Sequence, residues 1–134
     1  MRYLSANELV QLNQKVLSAS NQVSQIRNAK GLGSIEALPR QSFFGTEAYP
    51  KLSQKLGIVF IKIINLHPFA DGNKRTAVLA LSVMARLNNY DLTFSIVDLN
   101  DFALMVAQLE DGQLDYDQVF QTIATHLKQR WFDL

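Results

Sequence analysis

Two apolar segments flank a polar turn in the stretch that spans residues 50–87, PKLSQKLGIVFIKIINLHPFADGNKRTAVLALSVMARL. Apolar residues of the first segment recur with a helical period, which predicts a helix over about residues 50–66. The second segment predicts a helix over residues 74–87 that is apolar on almost every side, as is typical at the centre of a fold. We therefore expect two central helices joined by a turn, residues 67–73.

Cap and turn signals predict further helices on both sides of this pair. Ser5 and Glu8 have the spacing of a capping box, which predicts a first helix over about residues 6–19. Residues 20–30 are polar and indicate a loop or a frayed helix end. A short helix over residues 31–38 is expected to end before a proline, because the residue that precedes proline avoids helical backbone angles.

The last third of the chain predicts two more helices. Asp98 is the expected N-cap of a helix over residues 99–110, and Asp115 is the expected N-cap of the last helix. The buried stripe of the last helix is expected to contain Val119, Phe120, Ile123, Ala124 and Leu127. His126 lies on the polar side of this helix and is interpreted as a surface residue.

A short aromatic stretch, residues 40–45, interrupts the helical pattern before the first central helix. It is bounded by a proline and a glycine, which predicts a strand or the edge of a hairpin. No internal repeat, linker or low-complexity tract divides the sequence. The sequence thus predicts a single all-α domain over residues 1–134, a compact bundle of about six helices with a short β flap before the central pair.

The composition narrows the class of protein. Hydrophobic residues make up 48% of the 134 residues and cysteine is absent, so the chain can bury a core but cannot form disulfides or thiolate metal sites. No apolar run reaches the ~20 residues of a membrane-spanning helix, and the first residues lack an apolar signal segment. A cytoplasmic protein with no membrane partner is therefore expected.

Charge is distributed unevenly along the chain. Residues 51–90 carry a net charge of +5, whereas residues 91–134 carry −6. A basic middle suggests an anionic ligand such as phosphate, although the acidic part could instead screen the basic part within one fold. The basic residues form no stripe with interleaved aromatics, so direct nucleic-acid binding is not expected.

The turn between the central helices concentrates residues suited to chemistry on a nucleotide polyphosphate. His67 can take a proton from a hydroxyl group, as imidazoles do in general base catalysis. Asp71 offers a hard oxygen ligand to Mg²⁺, whose other ligands are typically phosphate oxygens and water. Asn73 could hold either the turn or a phosphate oxygen through its amide.

Two adjacent cations follow in the first turn of the second central helix. Lys74 and Arg75 lie at a helix N-terminus, where cations are unfavourable unless an anion is bound. Gly72 allows the backbone to approach a phosphate closely, and the helix N-terminus attracts anions. A simpler alternative is a capped interhelix turn with Asp71 or Asn73 as its N-cap. Phosphate-loop, dinucleotide-loop, zinc and serine-hydrolase motifs are absent from the sequence.

The turn resembles the signature loop of the Fic/Doc family, whose Fic pattern is H-P-F-x-[D/E]-G-N-G-R-x-x-R. The matching residues are His67, Pro68, Phe69, Asp71, Gly72, Asn73 and Arg75. Lys74 replaces the second glycine and Val78 replaces the final arginine. Both departures are similar to the death-on-curing (Doc) branch, whose loop reads H-x-F-x-[D/N]-x-N-K-R-T-A. The resemblance extends to residues 40–50 and 87–90, and it covers roughly residues 3–127.

The resemblance implies a helical Fic fold with its active site at this turn. Fic enzymes transfer a nucleoside monophosphate to a protein hydroxyl. Doc-type enzymes transfer the terminal phosphate of ATP, and their known target is a threonine of elongation factor Tu. By position, His67 would be the general base, Asp71 would hold Mg²⁺, and Gly72, Asn73, Lys74 and Arg75 would bind the phosphates of ATP.

The resemblance also implies protein partners. Residues 40–45 would form a flap that aligns the target chain by strand pairing. No inhibitory [S/T]-x-x-x-E-[G/N] helix is found, which suggests control by an antitoxin protein that acts in trans. The expected function is therefore that of a Doc-type kinase toxin. A nucleotidyl transferase that uses the same loop and a catalytically silent binding module are the alternatives.

Overall fold

The computed structural model describes residues 1–130, and six α-helices lie within them. The helices are α1 (Ala6–Ser18), α2 (Ala29–Ala37), α3 (Leu52–Leu66), α4 (Asn73–Leu87), α5 (Ile96–Gln108) and α6 (Tyr116–Thr125). This confirms the predicted all-α bundle. The domain predicted over residues 1–134 also includes residues 131–134, which lie outside the described residues. Across residues 1–130, every helix is too short or too polar to cross a membrane.

The hydrophobic core is built around α3. Its side chains at Leu56, Phe60, Ile61 and Ile63 are at most 1% exposed, and α2, α4, α5 and α6 all pack against this helix. Full burial of such a side chain contributes roughly 1.5–3 kcal/mol. The sequence pattern favoured α4 as the most enclosed helix, but one side of α4, including Val78, is only half-buried. The central position therefore belongs to α3.

The predicted capping box begins α1. The Ser5 hydroxyl oxygen accepts a hydrogen bond from the Glu8 N–H at 3.1 Å, and the Glu8 carboxylate accepts one from the Ser5 N–H at 3.0 Å. The hydrogen bond from the Ser5 backbone N–H, and to a smaller extent the interaction with the Ser5 side chain, lower the pKa of Glu8 below its ordinary value. Helix α1 then packs against α4 through a buried stripe that contains Leu9 and Leu17.

A two-stranded hairpin precedes α3, as predicted. Strand β1 (Ser42–Phe43) pairs antiparallel with β2 (Thr46–Glu47) across a turn at Phe44 and Gly45, both of which have positive φ. The side chains of Phe43 and Phe44 are exposed. This hairpin, called the flap below, therefore presents aromatic side chains to solvent.

The start of α5 differs from the prediction. Its N-cap is Ser95, whose hydroxyl oxygen accepts a hydrogen bond from the Asp98 N–H at 3.0 Å. Asp98 lies instead in the first turn, where a carboxylate interacts favourably with the helix N-terminus. The prediction of a helix over residues 99–110 was therefore wrong at its start, because two residues suited to capping lie three positions apart. Asp115 caps α6 as predicted.

A second two-stranded sheet follows α4 and was not predicted. Strand β3 (Tyr90–Leu92) pairs antiparallel with β4 (Leu127–Gln129). Leu127 therefore lies in a strand, and Ala124 is exposed, so neither belongs to the buried stripe of α6. Strands of three residues are too short for an alternating hydrophobic pattern to be recognised in the sequence.

His126 does not have the surface position that the sequence suggested. It lies between α6 and β4, where it is half-buried, and its ring stacks on the Phe94 ring with the centroids 3.8 Å apart. Its Nδ1 lies 2.8 Å from the Thr122 carbonyl oxygen. The pairing of β3 with β4 brings this histidine against the Phe94 ring instead of leaving it in solvent.

Gly57 lies where α3 packs against α6. A methyl group built at this position would collide with the Phe120 ring, whose Cε1 would lie only 2.7 Å away. We expect Gly57→Ala to lower the free energy of unfolding by about 1–3 kcal/mol, because overpacking outweighs the helix propensity gained when a glycine is replaced. Urea unfolding followed by circular dichroism measures this change.

Gly33→Ala is the matched control for this prediction. Gly33 is helical in α2, and within the described residues the methyl group that the substitution adds has no atom within 4 Å beyond its chain neighbours and the backbone of its own helix. We expect it to stabilise the protein by about 0.5–1 kcal/mol through helix propensity and a less flexible unfolded chain. Equal effects of the two substitutions would contradict the close packing of α3 and α6.

Candidate active site

The turn between α3 and α4 begins and ends in left-handed backbone conformations. His67 follows α3 with a φ of 46°, and Gly72 precedes α4 with a φ of 75°. A side-chain-bearing residue in this conformation costs on the order of 1–2 kcal/mol, so His67 holds it only because the surroundings fix the turn. We call residues 67–72 the candidate-site loop.

Gly72 meets two requirements at once. Its φ of 75° is one that residues with side chains rarely adopt, and an added Cβ would lie 3.1 Å from Leu17 and 3.3 Å from Val16 of α1. The close approach of α1 therefore leaves little room for a side chain. Gly72 is also the N-cap of α4, so neither Asp71 nor Asn73 occupies the cap position considered in the sequence analysis.

Asn73 holds the loop with both ends of its amide. Its Oδ1 accepts a hydrogen bond from the Phe69 N–H at 3.0 Å, and its Nδ2 donates one to the Phe69 carbonyl at 2.9 Å. Of the two roles that the sequence left open for this amide, the structure shows the loop-holding one. The Phe69 ring is fully buried and anchors the same loop in the core.

A second set of hydrogen bonds comes from the segment 25–28, which precedes α2. The Ala70 N–H donates to the Gln25 carbonyl at 2.9 Å, and the Arg27 N–H donates to the Pro68 carbonyl at 2.8 Å. The segment thus runs alongside the loop as a short antiparallel partner. This interaction fixes the position of residues 25–28 relative to the candidate-site loop.

Asn13 connects α1 to the loop from inside the protein. This fully buried side chain donates from Nδ2 to the Asp71 carbonyl at 2.9 Å and to the Thr76 hydroxyl at 3.1 Å. Its Oδ1 accepts a hydrogen bond from the Ser24 hydroxyl at 2.5 Å. A buried amide without partners would be costly, and here the amide serves three neighbours. Asn13 therefore holds the backbone of Asp71, whose carboxylate lies at the candidate site.

A pocket of about 420 Å³ opens in front of the loop. The six site residues named from the sequence all line it: His67, Asp71, Gly72, Asn73, Lys74 and Arg75. The other lining residues are Arg27, Ile64, Ala70 and Ala107. The fold therefore brings every predicted site residue to one cavity and adds a third cation, Arg27.

The electrostatics of this pocket favour an anion. Lys74, Arg75 and Arg27 are all exposed, and among residues 1–130 Asp71 is the only acidic residue that lines the pocket. The ion pairs formed within residues 1–130 involve Lys55, Lys62, Arg86 and Arg130. The N–H groups of the first turn of α4 also have no partner within the helix, which adds to the attraction for a negatively charged group.

The Asp71 carboxylate suits a magnesium ion that is shared with phosphates. Its Oδ1 accepts a hydrogen bond from the Gly72 N–H at 2.7 Å, and the side chain is exposed at the pocket. Within the described residues no group of three His, Asp or Glu side chains could enclose a metal. Mg²⁺ is commonly bound by one or two carboxylates with phosphate oxygens and water, and this donor set fits that arrangement.

The flap is attached to α3 by a buried lysine. Lys55 Nζ donates to the Glu47 carboxylate of β2 at 2.9 Å and to the Pro39 carbonyl at 3.1 Å. Burial works against the charge of Lys55, but the hydrogen bond to Glu47 and the interaction with Tyr3 outweigh it and raise the pKa of Lys55. The lysine therefore stays charged and fixes the base of the flap.

A second cavity lies between the flap and α3. It has a volume of about 630 Å³ and is lined by Ser42 of β1 and by Leu66, the residue that precedes His67. Arg40 and Lys62 add basic side chains to its walls. A groove therefore connects the region of the flap with the end of α3 that carries the histidine.

Two residues of the site were not identified from the sequence. Asn13 could have been found, because Leu9, Asn13 and Leu17 are spaced by four and so place an amide on the buried stripe of α1. Arg27 lies in the stretch 20–30, which has no periodicity, and only its pairing with the loop brings it to the pocket.

The fold and site define a helical domain with a basic pocket at the turn between two central helices. Comparison with known proteins specifies the family. A sequence model of the Fic/DOC family matches residues 3–85, and the chain belongs to that family. It is also 31% identical over 100 residues to "Toxin Doc" of Mycolicibacterium smegmatis (strain ATCC 700084 / mc(2)155), a match that covers 75% of this chain and 76% of that protein.

The Asn13 hydrogen bonds lead to a stability prediction. Asn13→Ala would leave the Asp71 carbonyl, the Thr76 hydroxyl and the Ser24 hydroxyl without their partner, so we expect a loss of roughly 2–3 kcal/mol in the free energy of unfolding. Urea unfolding measures the change. Asn7→Ala, at an exposed position of the same helix, is the control and should change stability by less than about 0.5 kcal/mol. A similar small change at both positions would refute the role of Asn13.

Proposed function

We propose that this protein is a Doc-type toxin that transfers the terminal phosphate of ATP to a threonine or serine hydroxyl of a target protein. Family membership points to a protein-modifying transferase, and the similarity to a protein named "Toxin Doc" supports a toxin that is paired with an antitoxin. The observation that carries the proposal is the pocket itself, where His67 and Asp71 lie beside Lys74 and Arg75. A translation factor such as elongation factor Tu is the proposed target.

The proposed reaction uses the residues of the pocket in distinct roles. Lys74, Arg75 and the N-terminus of α4 bind the phosphates of ATP. An imidazole nitrogen of His67 takes the proton of the target hydroxyl, whose oxygen forms a bond to the γ-phosphorus. The bond between that phosphorus and the β–γ bridging oxygen breaks, ADP leaves, and the proton passes from His67 to water.

Asp71 would hold Mg²⁺ together with phosphate oxygens. When bound, this ion neutralises negative charge on the phosphates during transfer. The chain itself contributes the orientation of the carboxylate. Asn13 holds the backbone of Asp71, and the Gly72 N–H donates a hydrogen bond to Oδ1 of its carboxylate. These two contacts orient the carboxylate and leave Oδ2 for the ion.

The flap is the proposed binding surface for the target chain. β1 pairs with β2 on one side, and exposed backbone on the other side could pair with an extended segment of the target. The cavity between the flap and Leu66 could then receive a neighbouring side chain of that segment. Such pairing would place the hydroxyl to be modified near the end of α3, where His67 lies.

Two positions favour phosphate transfer over nucleotide transfer. Lys74 stands where the Fic pattern has a glycine, so its side chain occupies space at the mouth of the pocket. Val78 stands where that pattern has an arginine, so α4 carries no second guanidinium one turn further on. We infer that the nucleotide is held by different contacts and presents its terminal phosphate to the hydroxyl. Nucleotidyl transfer and simple binding are the alternatives that the following experiment separates.

Purified protein incubated with Mg²⁺ and labelled ATP tests the reaction. We expect label from [γ-³²P]ATP, and none from [α-³²P]ATP, to appear on elongation factor Tu or on another protein of a bacterial lysate. His67→Ala should reduce the transfer at least about 100-fold, because it removes the general base. His126→Ala, the other histidine, is the control and should retain transfer. Transfer of the α-label would indicate a nucleotidyl transferase, and absence of both labels would indicate a binding module.

Expression in a bacterial host tests the toxin assignment. We expect the wild-type protein to arrest growth and protein synthesis, and His67→Ala to relieve the arrest, because the modification of the target depends on this base. Growth curves and incorporation of labelled amino acids measure the effect. Unimpaired growth of cells that express the wild-type protein, at a level that immunoblotting shows to equal that of His67→Ala, would contradict a toxin.

A further inference from the structure

Arg27 is the cation of the pocket that lies outside the signature loop. It comes from the segment 25–28 before α2, whereas Lys74 and Arg75 come from α4. All three line the same cavity together with His67. Basic residues from two separate parts of the chain therefore line the pocket.

The backbone of Arg27 is fixed relative to the loop. Its N–H donates to the Pro68 carbonyl at 2.8 Å, and the following Asn28 N–H donates to the same carbonyl at 3.1 Å. The Asn28 side chain also donates to the Leu66 carbonyl at 2.9 Å. These bonds join the segment to the two residues on either side of His67, so the Cα of Arg27 keeps a constant position next to the histidine.

The Arg27 side chain has no carboxylate to neutralise it within residues 1–130. No acidic oxygen there lies within 4 Å of its guanidinium, and the side chain is exposed at the cavity. At the same time, Val78 leaves α4 without the arginine that the Fic pattern has at that position. Arg75 is thus the pocket's guanidinium from α4, the second arginine of the Fic pattern is missing from that helix, and Arg27 adds a guanidinium from the segment before α2.

We propose that Arg27 is a phosphate ligand of this pocket and binds the phosphate chain of a nucleoside triphosphate. The inference rests on the proposed function, because it assigns one more contact to the same nucleotide. A guanidinium can donate two parallel hydrogen bonds to one phosphate, which a lysine ammonium cannot do. Arg27 is therefore expected to contribute more to the binding of ATP, which carries a phosphate chain, than to the binding of AMP, which carries a single phosphate.

Isothermal titration calorimetry of the full chain with ATP, ADP and AMP in the presence of Mg²⁺ tests this role. We expect Arg27→Ala to weaken ATP binding about tenfold and AMP binding by less than about twofold. Arg27→Lys should give an intermediate loss for ATP, because it keeps the charge but not the paired donors. Thermal unfolding followed by circular dichroism confirms that the variants are folded, as expected for an exposed side chain.

Lys30→Ala is the matched control. Lys30 is an exposed cation three residues further on, in the first turn of α2, and it does not line the pocket. It removes the same charge from the same region, so ATP binding should change by less than about twofold. Equal affinities of Arg27→Ala and Lys30→Ala for ATP would overturn the role of Arg27 while the proposed function stands. Failure of the wild-type protein to bind ATP would instead overturn the proposed function, and this inference with it.

Discussion

The site depends on the hydrogen bonding of one short loop between two packed helices. Residues 67–72 reverse the chain within a few residues, and the loop holds a strained histidine because its polar groups are bound from several directions. The amide of Asn73 binds it from α4, the segment 25–28 binds it from the α2 side, and Asn13 binds it from α1. Three distant parts of the sequence must therefore fold together before the pocket exists.

This arrangement also explains how two cations are kept at an unfavourable place. The positive end of α4 repels Lys74 and Arg75, which also repel each other, and no carboxylate oxygen within the described residues lies within 4 Å of either charge. The folding energy of the α3 core and the loop hydrogen bonds has to offset that repulsion. A bound phosphate group removes the repulsion, so ligand binding and stability of this region are coupled. Such local cost at a pocket is typical of a functional site.

Much of the helical framework could be predicted from the sequence, because its signals are local. The capping box at Ser5 and Glu8, the apolar period of α3 and the proline and glycine around the flap each involve neighbouring residues. The elements that were missed depend on contacts between distant residues. The β3–β4 sheet pairs residues almost forty positions apart, as the register of Tyr90 with Gln129 shows. The stacking of His126 on Phe94 is a consequence of that sheet.

The residues of the candidate site also fall into those with a local sequence signal and those that only distant contacts bring together. The residues of the loop and of the first turn of α4 are contiguous, so their chemistry was visible in one stretch of sequence. Arg27 and Asn13 reach the site only through tertiary contacts. The spacing of Asn13 with Leu9 and Leu17 marks it as buried, but no pattern in the sequence reveals which groups it or Arg27 contacts. The Asn73 amide shows a further limit, because the sequence allowed two roles and only geometry identified its hydrogen bonds to Phe69.

The buried attachment of the flap gives the two halves of the site different sensitivities to ionic strength. Lys55 is 4% exposed, so dissolved salt screens its attraction to Glu47 only weakly, although Glu47 itself is half in solvent. The cations of the pocket are open to water, and counterions compete directly for them. Raising the salt concentration therefore screens the exposed cations of the pocket well before it weakens the contact between Lys55 and Glu47 that holds the flap. The flap can therefore stay attached to α3 at ionic strengths that screen most of the attraction between the pocket and an anion.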